Sequence, residues 1–320
     1  MVKFSANLAA SLLFASVLST GASAAAEQCT LKLMAALPMT NRAGAFTVPV
    51  SLNGDSHQFI VDTGGIYTSV AENVVRQQQL KEVPISGTEL YDAKGNRFKN
   101  GVVVDSLKLG NNEVKHIHMF VHDGLDVDGT IAPNLLQVFD VELDFANGKM
   151  NLFSPDHCPG KVVYWAKDYA AIPFKTPDGF HIVVPVTLDG HTLEANFDTG
   201  ASVTLISQRA AQALFNVGVV HAGSNQGAEA GQDQSQHLHQ FQSLSFNGVD
   251  VKNPQIYALP DDAENAIRKD YDDPKSINDP VYGLQLGLPR LTIGEDVIRR
   301  LHVYIAYKEE VMYVTSVDAH

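Results

Sequence analysis

The chain has 320 residues, of which 45% are hydrophobic and 18% are charged, and its formal net charge is −13. This composition is typical of a globular protein, and the length allows two domains with separate cores. The acidic balance argues against nucleic acid and against an anionic lipid surface as partners.

The first 26 residues have the layout of a secretory signal peptide. Lys3 precedes an apolar stretch, and an Ala-Ser-Ala site at 22–24 predicts cleavage after Ala24 or Ala26. The alternative is a membrane anchor, but the apolar stretch is short and rich in Ala and Ser. No later segment is long and apolar enough to cross a membrane. We therefore expect an exported protein, periplasmic in a bacterium or secreted, without membrane insertion after signal removal.

Two cysteines, Cys29 and Cys158, follow the signal segment. Disulfides persist in exported proteins, so one bridge between them is a candidate that ties the mature N-terminus to the end of the first half. Pairing geometry cannot be read from a sequence, and two free thiols fit the sequence as well.

An internal repeat organises the chain. Residues 48–70 and 184–206 align without a gap: both begin Val-Pro-Val, continue through Asn-Gly or Asp-Gly, and reach Asp-Thr-Gly. Asn-Gly and Asp-Gly between apolar runs are strong hairpin signals, because type I′ turns need positive φ at both central residues. Each half is therefore predicted to open with strand, tight turn and strand, with Asp-Thr-Gly in the loop that follows.

The ends of the two halves also match. Residues 131–153 and 293–315 each read as a short helical stretch, an alternating strand, a turn and a last strand. The second half is longer, and its polar, Asp- and Pro-rich run at 261–280 reads as a surface insertion without the spacing of a calcium loop. Both ends of the repeat are preserved in the same order, so we interpret the chain as a duplication.

The duplication predicts a mainly β protein with few short helices. We expect a signal peptide, a first lobe, a linker that includes Trp165 as a packing residue, and a second lobe. Their bounds are 1–26, 27–155, 156–178 and 179–320. The helical segments are predicted at 71–80, 134–139, 207–215 and 296–301.

Asp62 and Asp198 occupy equivalent positions of the repeat and are the candidate catalytic residues. Two nearby carboxylates cannot both ionise cheaply, so they share a proton and their pKa values split. The charged member can accept a proton from water while the protonated member polarises a carbonyl group. This is general acid–base hydrolysis without a covalent intermediate, the chemistry of the aspartic protease dyad.

The residues after each aspartate suit this use. Gly64 and Gly200 allow close backbone approach and offer N–H donors. Thr63 and Thr199 carry hydroxyls that can bond across the pseudo-twofold axis. The apolar residues before each aspartate predict that it ends a buried strand, which raises its pKa.

The motifs FIVDTGGIYTSV, ANFDTGASVTLI and IGEDVIRRLHVYIAYKEEVMYVT resemble those of the aspartic proteases, more closely the retropepsin-like bacterial branch than pepsin itself. The resemblance covers residues 44–316. It implies a pepsin-like arrangement of two closed β-barrel-like lobes, with the aspartates facing each other across a peptide-binding cleft. It places a substrate flap at 90–98, with Tyr91 and Gly95 as candidates. A one-lobe retropepsin must dimerise, whereas this chain has both lobes, so a monomer suffices for the site and no cofactor is expected.

The sequence departs from the family pattern near the site. Ala132 stands where the second lobe has Gly294, and only the second lobe keeps the family's polar neighbour, Ser202. Neither Gly65 nor Ala201 has the hydroxyl with which pepsin-like enzymes steady the carboxylate anion. We therefore expect higher pKa values for the pair and activity that extends toward neutral pH.

Histidines at alternate strand positions suggest a metal site, because His-x-His places two imidazoles on one face. Without a nearby cysteine or a clear carboxylate as third ligand, exposed strand histidines are favoured and no metal is expected. The residues concerned are His116, His118, His122, His237 and His239.

Three function classes fit these patterns. The favoured one is an aspartic endopeptidase acting on peptide or protein substrates. The alternative is a catalytically weak or inactive protease-like protein that binds peptides or an envelope partner, and the third is a structural role. The presence of both Asp62 and Asp198 favours the first class, since a binding protein needs neither.

Overall fold

The computed structural model describes residues 30–42, 44–85, 97–177, 179–217, 237–259 and 289–318. These residues form two β lobes and a six-stranded sheet to which both halves contribute. The predicted two-lobed, mainly β fold with few short helices is confirmed. Within the described ranges, no helix combines the length and the apolar character needed to span a membrane.

The described part of the first half contains eleven strands. They are β1 (Leu33–Pro38), β2 (Thr40–Arg42), β3 (Ala45–Leu52), β4 (Asp55–Val61), β5 (Ser69–Ala71), β6 (Glu82–Pro84), β7 (Asn100–Leu109), β8 (Asn112–His122), β9 (Gly129–Ile131), β10 (Asp140–Asp144) and β11 (Lys149–Phe153).

Eleven strands follow in the described part of the second half. They are β12 (Ala170–Pro173), β13 (Val183–Leu188), β14 (His191–Phe197), β15 (Leu205–Ser207), β16 (His237–Gln240), β17 (Ser243–Phe246), β18 (Val249–Lys252), β19 (Gln255–Leu259), β20 (Leu291–Ile293), β21 (Leu301–Ala306) and β22 (Val311–Ser316).

Within the described residues, four short helices lie at the predicted places. They are α1 (Glu72–Gln77), α2 (Pro133–Leu136), α3 (Gln208–Phe215) and α4 (Glu295–Ile298). Each follows a short strand. α2 and α4 begin one residue before the predicted stretch, and all four helices end at or before its last residue.

The two predicted hairpin turns have the expected backbone. Asn53 and Gly54 join β3 to β4 with φ values of 50° and 100°, and Asp189 and Gly190 join β13 to β14 with 43° and 82°. Positive φ at both central residues matches the right-handed twist of the flanking strands. The local turn sequence therefore sets the strand register that leads to each Asp-Thr-Gly loop.

The first lobe closes into a barrel. Its sheet runs β2-β3-β4-β9-β5-β8-β7-β6, and an additional pairing of β3 with β7 joins six of these strands in a ring. Its interior is filled by apolar side chains such as Val48, Phe59 and Leu107, each 0% exposed. This lobe gives a rigid frame for the loop after β4.

The second lobe is a curled half-barrel with the order β16-β19-β15-β20-β14-β13-β17-β18. Four short strands replace the long β7–β8 hairpin, because Pro254 has no N–H for the ladder and Asn253 has a φ of 50°. Backbone bonds bridge the interruption, from the Phe241 N–H to the Pro254 carbonyl at 3.0 Å and from the Asn253 N–H to the Gln242 carbonyl at 2.9 Å.

The third sheet joins the two halves in the order β1-β11-β10-β21-β22-β12. Its central pairing sets β10 against β21, with Val141 opposite Ile305 and Leu143 opposite Val303. β12 lies within the predicted linker and pairs with β22, so this segment adds an edge strand. The predicted domain limits stay a prediction.

Cys158 is disulfide-bonded. Its predicted partner, Cys29, is the only other cysteine in the sequence and lies outside the described residues. The pairing of these two cysteines stays a prediction.

Candidate active site

Asp62 and Asp198 lie at equivalent positions in the two lobes. β4 runs parallel to β9 and β14 runs parallel to β20, and each aspartate follows the first strand of its pair. The Asp62 N–H donates to the Ile131 carbonyl at 2.9 Å, and the Asp198 N–H donates to the Ile293 carbonyl at 3.0 Å. The duplicated sequence thus builds the same strand end twice.

The threonines that follow the aspartates join the two loops. The Thr63 N–H donates to Thr199 Oγ1 at 3.1 Å, and the Thr199 N–H donates to Thr63 Oγ1 at 3.0 Å. The hydroxyls donate in turn to backbone carbonyls of the opposite lobe, Thr63 to Phe197 at 2.8 Å and Thr199 to Val61 at 2.6 Å. Both threonines are buried, so this reciprocal network holds one loop against the other.

Each loop glycine packs against the aspartate of the other lobe. A side-chain carbon at Gly64 would overlap the carboxyl group of Asp198, and one at Gly200 would overlap the carboxyl group of Asp62. Only glycine leaves room for this approach. The two carboxyl groups therefore face each other across the pseudo-twofold axis, and both are partly accessible to solvent.

Backbone amides orient both carboxyl groups in the same way. In each lobe two successive N–H groups donate to the aspartate Oδ1. The donors are Gly64 at 3.1 Å and Gly65 at 2.8 Å for Asp62, and Gly200 at 2.8 Å and Ala201 at 3.2 Å for Asp198. Because Gly65 and Ala201 contribute backbone N–H groups, the anion is stabilised without the family's hydroxyl.

Both aspartates are harder to ionise than an ordinary aspartate. Burial, and then the charge of Asp198, raise the pKa of Asp62 to about 7, against the lowering effect of the Gly65 and Gly64 amides and of His181. Burial also raises the pKa of Asp198, and the Gly200 amide and the charge of His181 oppose it. A pair of this kind retains one shared proton toward neutral pH.

The departure at Ala132 is accommodated without distortion. Ala132 is fully buried, and a methyl group at Gly65 would come within 3.4 Å of its Cβ. At the equivalent Gly294, a side-chain carbon would overlap the Val203 carbonyl, so this lobe needs glycine. The two strand-end hydrogen bonds of Asp62 and Asp198 are equally short, so Ala132 does not widen the first loop.

A second pair of equivalent contacts supports the loops, and the sequence analysis missed it. Thr68 donates its hydroxyl to Asn134 Oδ1 at 2.9 Å, and Thr204 donates its hydroxyl to Asp296 Oδ1 at 2.7 Å. The threonine hydroxyls also accept the N–H groups of Ala132 and Gly294. The repeat itself carried the signal, since Thr68 aligns with Thr204 and Asn134 with Asp296.

Two buried ionisable residues near Asp198 were also missed. Glu295 is 3% exposed, and its Oε1 accepts the Phe46 N–H from the other lobe at 2.8 Å. Burial raises the pKa of Glu295 to about 7. His181 is 3% exposed and acts electrostatically on both Asp62 and Asp198. The signal for His181 was the predicted hairpin register, which sets it opposite Asp198 when continued one residue beyond the bond from the Phe197 N–H to the Ile182 carbonyl.

The remaining predicted residues of the site are Ser202 and the two flap candidates. Ser202 is exposed, and a side-chain carbon at Gly44 of the first lobe would lie 3.7 Å from its Oγ. The flap candidates Tyr91 and Gly95 lie outside the described residues.

The strand histidines lie away from the aspartates. His116, His118 and His239 are exposed, His122 is half-buried, and the side chain of His237 is not described. Among the described residues, no cluster of three or more histidine, cysteine, aspartate or glutamate side chains is arranged to hold a metal ion.

A row of half-buried aromatic rings leads away from the Asp62 loop. Tyr67 lies 5.1 Å from Phe120 and 5.6 Å from Phe180, as measured between ring centroids. Phe98 continues the row at 5.6 Å from Phe120 and 5.2 Å from His122. The row forms a largely aromatic wall beside the Asp62 loop.

Each half of the chain matches a family model of aspartyl proteases. Residues 48–133 match the family model described as "gag-polyprotein putative aspartyl protease", and residues 184–273 match the model described as "Aspartyl protease". Each matched segment contains one Asp-Thr-Gly. No curated protein sequence matches the chain.

Solved structures found in the comparison include two proteases. An aspartic proteinase from Irpex lacteus is 14% identical with a TM-score of 0.53, covering 89% of this chain and 97% of that one. A retropepsin-like aspartic protease from Rickettsia conorii is 18% identical with a TM-score of 0.30, covering 39% of this chain and 94% of that one. The first match shows the two-lobed fold. With a family match and an equivalent aspartate loop in each lobe, the chain belongs to the aspartic protease family.

Proposed function

We propose that this protein is an aspartic endopeptidase that hydrolyses peptide bonds of peptide or protein substrates after export from a bacterial cytoplasm. The observation that carries the proposal is the packing of Gly64 and Gly200 against the opposite aspartates. This packing sets face to face two carboxyl groups that each accept hydrogen bonds from backbone amides. One chain supplies both groups, so a monomer is sufficient for catalysis. No cofactor takes part in this chemistry.

The mechanism follows from one proton shared by Asp62 and Asp198. The ionised carboxylate removes a proton from a water molecule between them, and the water oxygen bonds to the carbonyl carbon of the scissile peptide. The protonated carboxyl group gives its proton to the carbonyl oxygen, which forms a tetrahedral diol. The carboxyl group that took the water proton then gives it to the peptide nitrogen, while a hydroxyl of the diol returns its proton to the other carboxylate. The carbon–nitrogen bond breaks, an acid and an amine are released, and the pair again holds one proton.

The surroundings of the pair suit this reaction at mildly acidic to neutral pH. Burial raises the pKa of Asp62 to about 7, so one proton remains on the pair well above the ordinary range of an aspartate. The half-buried ring of Tyr67 beside the Asp62 loop favours apolar substrate side chains near the cleaved bond.

Substitution of either aspartate tests the proposal. We expect the purified mature protein to cut members of a peptide library, with products identified by mass spectrometry. Asp62→Asn and Asp198→Asn should each lower kcat/KM at least about a hundredfold, because each removes an acid–base group. The matched control is Asp105→Asn, since the side chain of Asp105 is 86% exposed and away from the pair.

The outcomes separate the function classes. Cleavage that depends on both Asp62 and Asp198 supports the endopeptidase. Equal cleavage by wild type and both variants, or peptide binding without any cleavage, would show that the proposal is wrong.

A further inference from the structure

His181 occupies a defined place beside one of the two aspartates. In the β13–β14 ladder Val183 pairs with Asn196, and the Phe197 N–H donates to the Ile182 carbonyl at 2.9 Å. The same register sets His181 opposite Asp198. Directly opposed residues of an antiparallel pair project to the same face of the sheet, so the imidazole lies on the face that carries the Asp198 carboxyl group.

The histidine lies inside the molecule at the junction of the lobes. Only 3% of its surface is exposed. The neighbouring Phe180 packs on Tyr67 of the first lobe with ring centroids 5.6 Å apart, and Tyr67 follows the Asp62 loop closely. The His181 segment thus crosses from the second lobe to the first beside both catalytic loops.

The equivalent position of the first lobe has no ionisable group. In the β3–β4 ladder Thr47 pairs with Ile60, which by the same register sets Ala45 opposite Asp62. Ala45 is also buried, at 6% exposed. The fold therefore accepts a small apolar residue at this place, and an imidazole buried here without a polar role would be costly. The two aspartates consequently have different neighbours.

On the basis of the proposed function, we propose that His181 is a positioning residue whose imidazole, on the Asp198 side of the pair, holds the negative charge of the pair on Asp198. Asp198 is then the general base that activates water, and Asp62 is the protonated partner that polarises the peptide carbonyl. The positive charge of His181 lowers the pKa of both aspartates, and the charge of Asp198 raises the pKa of Asp62.

One other acidic group borders this site. The Glu295 N–H donates to the Ala201 carbonyl, which places Glu295 at the Asp198 loop. Its pKa is raised to about 7 by burial, so below that pH it is largely uncharged and does not compete for the charge of His181. The charges that act on Glu295 are those of Arg299, which lowers its pKa, and Asp198, which raises it.

The ionisation order can be measured without substrate. In the intact mature protein labelled with carbon-13 aspartate, we expect the Asp198 carboxyl signal to titrate at lower pH than the Asp62 signal between about pH 3 and pH 8. His181→Gln should raise the lower apparent pKa of the pair by about one unit, because a favourable positive charge is removed. His181→Lys should restore it, and the exposed-residue control His239→Gln should leave it unchanged.

The pH profile of kcat/KM should shift in the same direction as the apparent pKa of the pair. His181→Gln should move the acidic limb of the kcat/KM profile to higher pH and lower kcat/KM near pH 5 roughly tenfold, with little change above the limb. An equal loss at every pH, with an unmoved limb, would assign His181 a structural role and overturn the inference.

Peptide cleavage and the effect of His181 on the carboxyl pair are measured separately. If no peptide is cleaved, the carboxyl titration still decides whether His181 acts on the pair. If His181→Gln does not fold, the wild-type titration decides alone: ionisation of Asp62 before Asp198 overturns the assignment.

Discussion

At the scale of single residues, Glu295 is a buried carboxylic acid that contacts both lobes. It begins α4, accepts the Phe46 N–H from the first lobe, and donates its own N–H to Ala201 beside Asp198. Burial raises its pKa to about 7 from an ordinary value of 4.5. Its neutral form is therefore the one that the folded protein favours.

This raised pKa predicts a pH-dependent contribution to stability. Between pH 4.5 and 7 the folded protein keeps the proton on Glu295 while the unfolded chain releases it, so the free energy of unfolding falls as pH rises. Glu295→Gln removes this dependence and still accepts the Phe46 N–H. We expect the variant to gain about 1–2 kcal/mol over wild type at neutral pH and little below pH 4.5.

Urea unfolding as a function of pH measures this effect. Glu194→Gln is the matched control, since its side chain is 61% exposed in the same lobe. It should change the free energy of unfolding by less than about 0.5 kcal/mol at each pH. A Glu295→Gln curve parallel to wild type would contradict the prediction.

The two aspartate loops act as one unit at the element scale. Thr63 and Thr199 exchange hydrogen bonds across the lobes, and every polar group of the exchange is buried. The Thr199 hydroxyl both accepts the Thr63 N–H and donates to the Val61 carbonyl. The relative position of the two carboxyl groups therefore depends on a few hydrogen bonds between loops that are distant in sequence.

Removal of the Thr199 hydroxyl tests this dependence. Thr199→Val keeps the shape of the side chain but leaves the Thr63 N–H and the Val61 carbonyl without their partner. We expect the free energy of unfolding to fall by about 2–4 kcal/mol and cleavage to fall with it. Thr199→Ser keeps the hydroxyl and should lose less than about 1 kcal/mol. Equal losses in the two variants, measured by urea unfolding, would refute a hydrogen-bonding role.

The two lobes are connected at the scale of the whole molecule by the shared sheet. Glu142 on β10 is fully buried and accepts hydrogen bonds from Tyr164 at 2.8 Å and Asn151 at 2.6 Å. Its Oε1 lies 2.9 Å from Nε2 of His302, which belongs to β21 of the second half. Trp165 stacks on His302 with ring centroids 4.1 Å apart, so the predicted packing role of Trp165 is confirmed.

Loss of the Glu142 carboxylate should weaken this junction. Glu142→Ala leaves the buried His302 without its acceptor and also removes the acceptor of the more exposed Tyr164, and we expect the free energy of unfolding to fall by about 3–5 kcal/mol. Trp165 is the only tryptophan in the chain, so its fluorescence reports on the junction during unfolding. The control is Glu72→Ala, which removes an exposed pair with Arg76 and should change stability by less than about 0.5 kcal/mol. Similar losses in both variants would contradict a special role of Glu142.

Much of the fold and of the carboxyl pair was predictable from the sequence. The turns at 53–54 and 189–190 were recognisable because positive φ favours particular residue types, and each turn sets a strand register by local geometry alone. The repeat then showed that Asp62 and Asp198 are equivalent. The apolar residues before each aspartate gave the direction of the pKa shift, because burial is its largest cause.

The sequence by itself therefore determined the two-lobed β architecture, the equivalence of the two aspartates and the residue types of their loops. Only the tertiary structure decided that Ala132 fits its loop, that His181 and Glu295 lie in the electrostatic surroundings of Asp198, and that β10 pairs with β21. The physical reason is the separation along the chain over which each effect acts. Turn preferences and repeats act over a few residues or by duplication, whereas burial, desolvation and charge interactions depend on which distant segments pack together.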